Sequence, residues 1–214
     1  MIAETATSPR PLYAILLAWG AAALVAGALG VVARSPVPPP IVLAALTAAG
    51  LVAWWGSPKV RGWVRAVPPR GLVAIHLIRF VGAWFIVLYR RGELPFAFAV
   101  PGGWGDIVSA ATAAALLPGA FPARTRSRRT ALYAWNTFGL LDILFVVTTA
   151  ARLFFAQAGP LAPLARLPLS LLPTFFVPLI VLSHLRIYGW LRETRRKGPA
   201  GQRTRFRGPR RSAE

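Results

Sequence analysis

The chain contains no cysteine, one methionine, two histidines and six acidic residues among its 214 positions. Lack of cysteine excludes disulfides, thiolate metal sites, c-type haem attachment and cysteine nucleophiles. Charge of either sign is sparse: 14% of residues are charged, against about a quarter in an average soluble domain. Acid is scarcest, with 25 Lys and Arg against six Asp and Glu, for a net charge of +19. No phosphate loop is present, because the glycine-bearing stretch 92–106 lacks a Gly-Lys-Ser/Thr ending. No internal repeat relates the two halves, so an inverted-repeat transporter architecture gets no support.

What is abundant is apolar sequence, 56% of the residues, gathered into long runs. A spanning helix needs roughly 20 mostly apolar residues, and a bilayer is the solvent that accommodates several such runs. Six segments stand out, at 12–32, 41–55, 72–89, 104–121, 131–155 and 173–190. The first is too long for the apolar core of a signal peptide and is read as a span. Its Gly20, Ala23, Gly27 and Gly30 offer small surfaces for close helix contact. Prolines at 36–40 separate it from the second segment, which ends in a Trp pair. The stretches 57–70 and 122–129 read as basic loops, 90–103 as an apolar loop at the membrane surface, and 157–172 as a Pro-rich connector. Residues 191–214 form a basic tail expected to be disordered.

Basic residues alternate with the segments. One side receives Arg10, Lys59, Arg61, Arg65, Arg70, Arg124, Arg126, Arg128, Arg129 and the tail. The other receives Arg34, Arg90, Arg91, Arg152 and Arg166. The richer side is cytoplasmic by the positive-inside rule, so both termini lie there. The positive charge therefore marks topology and does not imply specific nucleic-acid binding. The tail is expected to attract anionic lipid headgroups. Bias toward Ala, Arg, Pro and Gly points to a GC-rich bacterial genome, hence a bacterial inner membrane.

Polar residues inside apolar runs are the candidate site. Ionisable groups are expensive in hydrocarbon and tend to face a bundle interior. His76 and Arg79 lie in the third segment, Asp106 and Ser109 in the fourth, Asn136 and Asp142 in the fifth, and Ser183, His184 and Arg186 in the sixth. With helices alternating in direction, His76, Asn136 and His184 share a layer near the cytoplasmic side. Asp142 lies nearer the midplane within reach of Arg79, while Asp106, at the start of the fourth segment, lies toward the outer face. Three readings of the histidines stand: interhelical hydrogen bonding, a bis-imidazole haem site on His76 and His184, or a proton or ion relay through His76, Asp142 and Asp106. Arg79 and Asp142 pin two helices together, or Arg79 receives an anionic substrate group. Arg186 is near enough to the cytoplasmic end to snorkel. Trp135 is read as an interface anchor. Gly102, Gly103 and Gly105 are read as turn-formers, in an interfacial turn or an outer lid. Pro178 should kink the last segment and free a carbonyl.

Several motifs recur in order: His76-x-x-Arg79, Gly92-x-Leu94-Pro95, Pro101-x-Gly103-x-Gly105-Asp106, Trp135-Asn136-x-x-Gly139-x-x-Asp142, and Pro173-x4-Pro178-x5-His184. In these the chain resembles a group of small, uncharacterised bacterial multi-pass membrane proteins, over about 72–190. The resemblance implies no activity. The expected fold is all-α, a six-helix membrane bundle over 1–190. The expected function is a small transporter or channel-like protein with a polar cavity lined by His76, Arg79, Asp106, Asn136, Asp142 and His184. The alternatives are a haem-binding redox protein and a scaffold or accessory subunit without chemistry.

Overall fold

The computed structural model describes residues 8–121, 123, 125–157 and 161–196, and these are helical with no strand. The chain runs through α1 (Arg10–Ala28), α2 (Val31–Arg34), α3 (Pro39–Gly56), α4 (Pro58–Ala66), α5 (Pro69–Ala74), α6 (Gly82–Arg90), α7 (Phe96–Gly119), α8 (Arg126–Phe155) and α9 (Val177–Arg196). A tightened 3-10 segment, Ile75–Val81, joins α5 to α6 in one rod, and a π turn, Leu172–Phe176, leads into α9. Five helical rods are long and apolar enough to cross a membrane: Arg10–Ala28, Pro39–Gly56, Pro69–Arg90, Arg126–Phe155 and Leu172–Arg195.

The fourth expected segment is corrected in length and start. α7 begins at Phe96 and runs for 24 residues, so most of the expected surface loop is helix. Pro95 caps its start, and α6 ends at the left-handed Gly92 (φ 72°). There Glu93 N–H donates to the Leu88 carbonyl and Gly92 N–H to that of Tyr89, both at 2.9 Å, a Schellman closure. Gly102 and Gly103 are therefore not turn residues. They permit contact: a Cβ on Gly103 would lie 2.6 Å from the Gly82 carbonyl oxygen, and one on Gly102 would lie 3.0 Å from Val146 Cγ2. Small residues let α7 wedge between α6 and α8. With glycine, proline, tryptophan and Asp106 among its residues, α7 is not one of the five apolar rods.

The loop expected at 57–70 is also corrected. It folds as amphipathic α4, with the Ser57 side chain accepting from Val60 N–H at its start. The tail expected from 191 is helical through Arg196, and its remainder lies outside the described residues. The basic loop expected at 122–129 gives way to α8 at Arg126, capped by Thr125.

The interior is layered. One apolar cluster gathers Val73, Ala113, Leu132, Trp135, Ile187 and Leu191. Another, toward the opposite end, gathers Phe85, Leu88, Leu94, Phe98, Val146 and Leu153. Val73, His76, Arg79, Gly82, Phe85 and Leu88 form an every-third-residue buried stripe along the α5–α6 rod. The 3-10 tightening accounts for that period, because residues three apart eclipse there. The polar residues of this stripe sit between the two apolar clusters. By contrast α1 buries only Ala23 and Gly27, and α3 buries no residue. Gly20 meets the Phe175 ring and Gly27 meets Leu167 and Ser170, whereas Gly30 makes no such contact and instead breaks the helix at φ 65°.

Candidate functional site

Arg79 is the centre of the polar layer. Its Nε donates to Asp106 Oδ1 at 2.6 Å, its Nη1 to the Gly139 carbonyl at 2.9 Å, and its Nη2 to Asp142 Oδ2. The three side chains are 2%, 5% and 9% exposed. The pairing of Arg79 with Asp142 joins α5–α6 to α8. The expected position of Asp106 near the outer face is corrected, because it is the eleventh residue of α7 and lies about 15 Å along the helix. Gly105 supplies room for Asp142, against which any Cβ at that position would collide. The motif Pro101-x-Gly103-x-Gly105-Asp106 is thus a packing device that delivers a carboxylate to Arg79.

His76, Asn136 and His184 also come together. Asn136 Nδ2 donates to the His184 carbonyl at 3.2 Å, which orients the amide and leaves Oδ1 to accept from His184 Nδ1 at 2.9 Å. Ser183 Oγ donates to the Ile180 carbonyl at 2.7 Å, so its single hydrogen is used, and it accepts from His76 Nε2 at 3.0 Å. His76 Nδ1 has no partner, and the second nitrogen of His184 faces the Gly139 backbone. Gly139 separates this layer from the arginine: a Cβ there would meet His184 Nε2 and Arg79 Nη1, each at 3.2 Å.

The histidines do not fit a haem. Iron between two imidazoles puts the bonded nitrogens about 4 Å apart, with the ring centres farther still and a porphyrin disc between them. Here the ring centres are 4.3 Å apart and the rings pack against each other. Among the described residues no group of three or more His, Cys, Asp or Glu is placed to hold a metal ion.

Two further readings are corrected. Trp135 is buried, not an interface anchor; its indole N–H donates to the Ser109 carbonyl at 3.0 Å and its ring meets His76 edge-on at 4.9 Å. Arg186 does not snorkel: it is 5% exposed and donates to the Val64 and Arg65 carbonyls at 3.3 Å, closing the end of α4. Pro178 does free a carbonyl. That of Thr174, four residues earlier, accepts from the Trp19 indole at 2.9 Å. The Gly139 carbonyl is a partner that side-chain reading of the apolar runs does not assign, and Ser183, a candidate from its place in the sixth segment, gains His76 as its partner. A glycine in the Trp135–Asp142 motif was the available signal for the first.

A cavity of about 460 Å³ has Arg79 and Asp106 in its lining. Its walls are apolar, with Phe85, Phe98, Ile143, Val146 and Ile180 among them. Residues of 32–40, Gln157 and residues of 161–165, which follow α1 and α8, also line it. Of the residues expected to line a polar cavity, Arg79 and Asp106 do so; His76, Asn136, Asp142 and His184 do not.

No curated protein and no solved structure matches the chain. A family model does, over residues 36–192, which extends the earlier resemblance back across α3. The chain belongs to the family described as a domain of unknown function, DUF8737.

Proposed function

We propose that the protein is a bacterial inner-membrane carrier of six spans, with both termini cytoplasmic, that admits a small, largely hydrophobic organic solute from the outer side to a site beside Arg79 and Asp106. Five rods of membrane length and the 24-residue α7 supply the spans. Exposed Leu17 (75%) and Val52 (70%) on the little-buried α1 and α3 are the surfaces lipid would cover. The alternating Lys and Arg supply the orientation. With that orientation the cavity-lining residues of 32–38 and 161–165 lie on the external side, which gives the cavity its access from outside.

The observation that carries the carrier reading is the cavity of about 460 Å³ with Arg79 and Asp106 in its lining. A pocket of this size, mostly apolar with a few convergent polar groups, is the usual form of a small-molecule site. The absence of cysteine makes a direct test simple. In intact cells, a membrane-impermeant maleimide should label Ala150→Cys and Leu164→Cys, which line the cavity and are half-buried, and spare the fully buried Leu132→Cys. Cavity positions that resist labelling from outside would return the protein to the scaffold reading.

A further inference from the structure

We propose that the cavity takes a hydrophobic organic cation of single positive charge, in exchange for a proton held by the carboxylates of the Arg79–Asp106–Asp142 triad. This rests on the carrier reading and names its substrate class. One guanidinium faces two carboxylates, and all three side chains are nearly or fully buried. With both carboxylates ionised the triad carries one uncompensated negative charge. A lone charge surrounded by apolar groups is costly, so the site favours whatever neutralises it.

The surroundings supply no other cation. Among the described residues that line the cavity, Arg79 and Asp106 are the charged ones. His76 lies one turn before Arg79, and His184 approaches from α9 across Gly139. His76 Nε2 donates to Ser183 and His184 Nδ1 to Asn136, and the Gly139 carbonyl that the other side of His184 faces already accepts from Arg79. Both rings are fully buried and pack on each other at 4.3 Å, where an added positive charge is costly. α3 contributes Pro39, Pro40 and Leu43 to the wall and no charge.

Two occupants can balance the triad: a proton on a carboxylate, or a cation in the cavity beside Asp106. Each removes the need for the other, so they exclude one another. When the organic cation enters, the carboxylic acid releases its proton to solution and becomes the carboxylate that pairs with the cation. No covalent bond besides O–H is broken and no electron moves.

The walls choose the kind of cation. A hard metal ion needs several oxygen ligands, which these apolar walls do not offer. An anion would add to the existing negative charge, and the three guanidinium nitrogens are already engaged. Phe85 and Phe98, with ring centres 5.2 Å apart, both line the cavity, and aromatic faces attract organic cations.

The test uses the purified full chain in detergent and three probes: tetraphenylphosphonium, the isosteric anion tetraphenylborate, and neutral triphenylphosphine oxide. The phosphonium should bind at least tenfold more tightly than either comparison. Its affinity should rise about tenfold per pH unit at the acid end, with about one proton released per cation bound, as linkage requires for competition at one site. Asp106→Asn should weaken the phosphonium at least tenfold and flatten the pH profile, while Asp106→Glu retains both. Preference for the borate, or phosphonium binding without proton release, overturns the proposal even if the Asn variant fails to fold. Binding of the neutral probe alone overturns the cation class and leaves the carrier reading intact. No binding by any probe overturns the proposal, and the maleimide experiment then decides the carrier reading separately.

Discussion

Arg79 has three acceptors drawn from two helices, so the members of its network are not equivalent. Removing the arginine leaves two buried carboxylates facing each other without a counter-charge. Breaking a buried pair in this way costs about 3–5 kcal/mol. Asp142→Asn keeps an acceptor and leaves Arg79 balanced by Asp106, so it should cost about 1 kcal/mol. Unfolding by SDS titration from mixed micelles measures both, and the order should be Arg79→Leu well below Asp142→Asn. The double change Arg79→Leu with Asp142→Leu should recover part of the single arginine loss, because one stranded charge goes with its partner. Additive losses would mean the pair is uncoupled. Gly139 is the other sensitive residue. A methyl there meets His184 Cε1 at 2.8 Å and Arg79 Nη1 at 3.2 Å. Gly139→Ala should therefore cost about 1–3 kcal/mol by the same measurement, the usual range for overpacking. A variant as stable as the parent would show that the two layers yield easily. Much at this scale was legible. Arg79, Asp142, His76, Asn136 and His184 betray themselves as polar residues in apolar runs, and topology places His76, Asn136 and His184 in one layer with Asp142 nearer the midplane, within reach of Arg79. The backbone carbonyl of Gly139 leaves no such trace, because every residue carries one.

Helix termini were legible where a cap or a proline marks them and misleading where glycine clusters. Residues 96–103 were read as a loop because Pro101, Gly102 and Gly103 are all poor helix formers. In the fold, close packing of Gly103 on Gly82 and of Gly102 on Val146 outweighs that weak preference. Moving the start of α7 to Phe96 is what carries Asp106 inward to Arg79. The 3-10 tightening of Ile75–Val81 was equally hidden, although the three-residue spacing of His76 and Arg79 is its natural period. At the start of α9 the prolines did announce a disturbance. The Thr174 carbonyl released by Pro178 is bound by Trp19, tying α1 to the π turn. Trp19→Phe keeps the ring packing on Phe175 and deletes that bond. The expected loss is about 1 kcal/mol in the SDS titration. An unchanged midpoint would mean that water or lipid serves the carbonyl equally well.

For the whole molecule, six spans require that both ends of the chain and the connections after α3 and α7 share one side. Reporter fusions after Gly56, Phe121 and Arg195 should read cytoplasmic, and fusions after Val32 and Gly92 should read external. A reversal within either set would falsify the six-span arrangement. Its carrier function stands or falls separately, on access to the cavity. Composition and periodic runs were enough to establish that the chain is helical, since local hydropathy and length are properties of consecutive residues. The same local information located the polar residues in the runs and their approximate heights. It did not contain helix rotation, so it left open whether Arg79 meets one carboxylate or two. It did not contain the cavity either, which is lined by residues of α2, α3, α6, α7, α8 and α9 and of the segments between them. Only tertiary packing decided these, because the close approach of α6, α7 and α8 through Gly82, Gly102, Gly103 and Gly105 determines which side chains converge. The two histidines were ambiguous for the same reason: equal height permits either an iron between them or direct ring contact, and the distance of 4.3 Å between ring centres decides for contact.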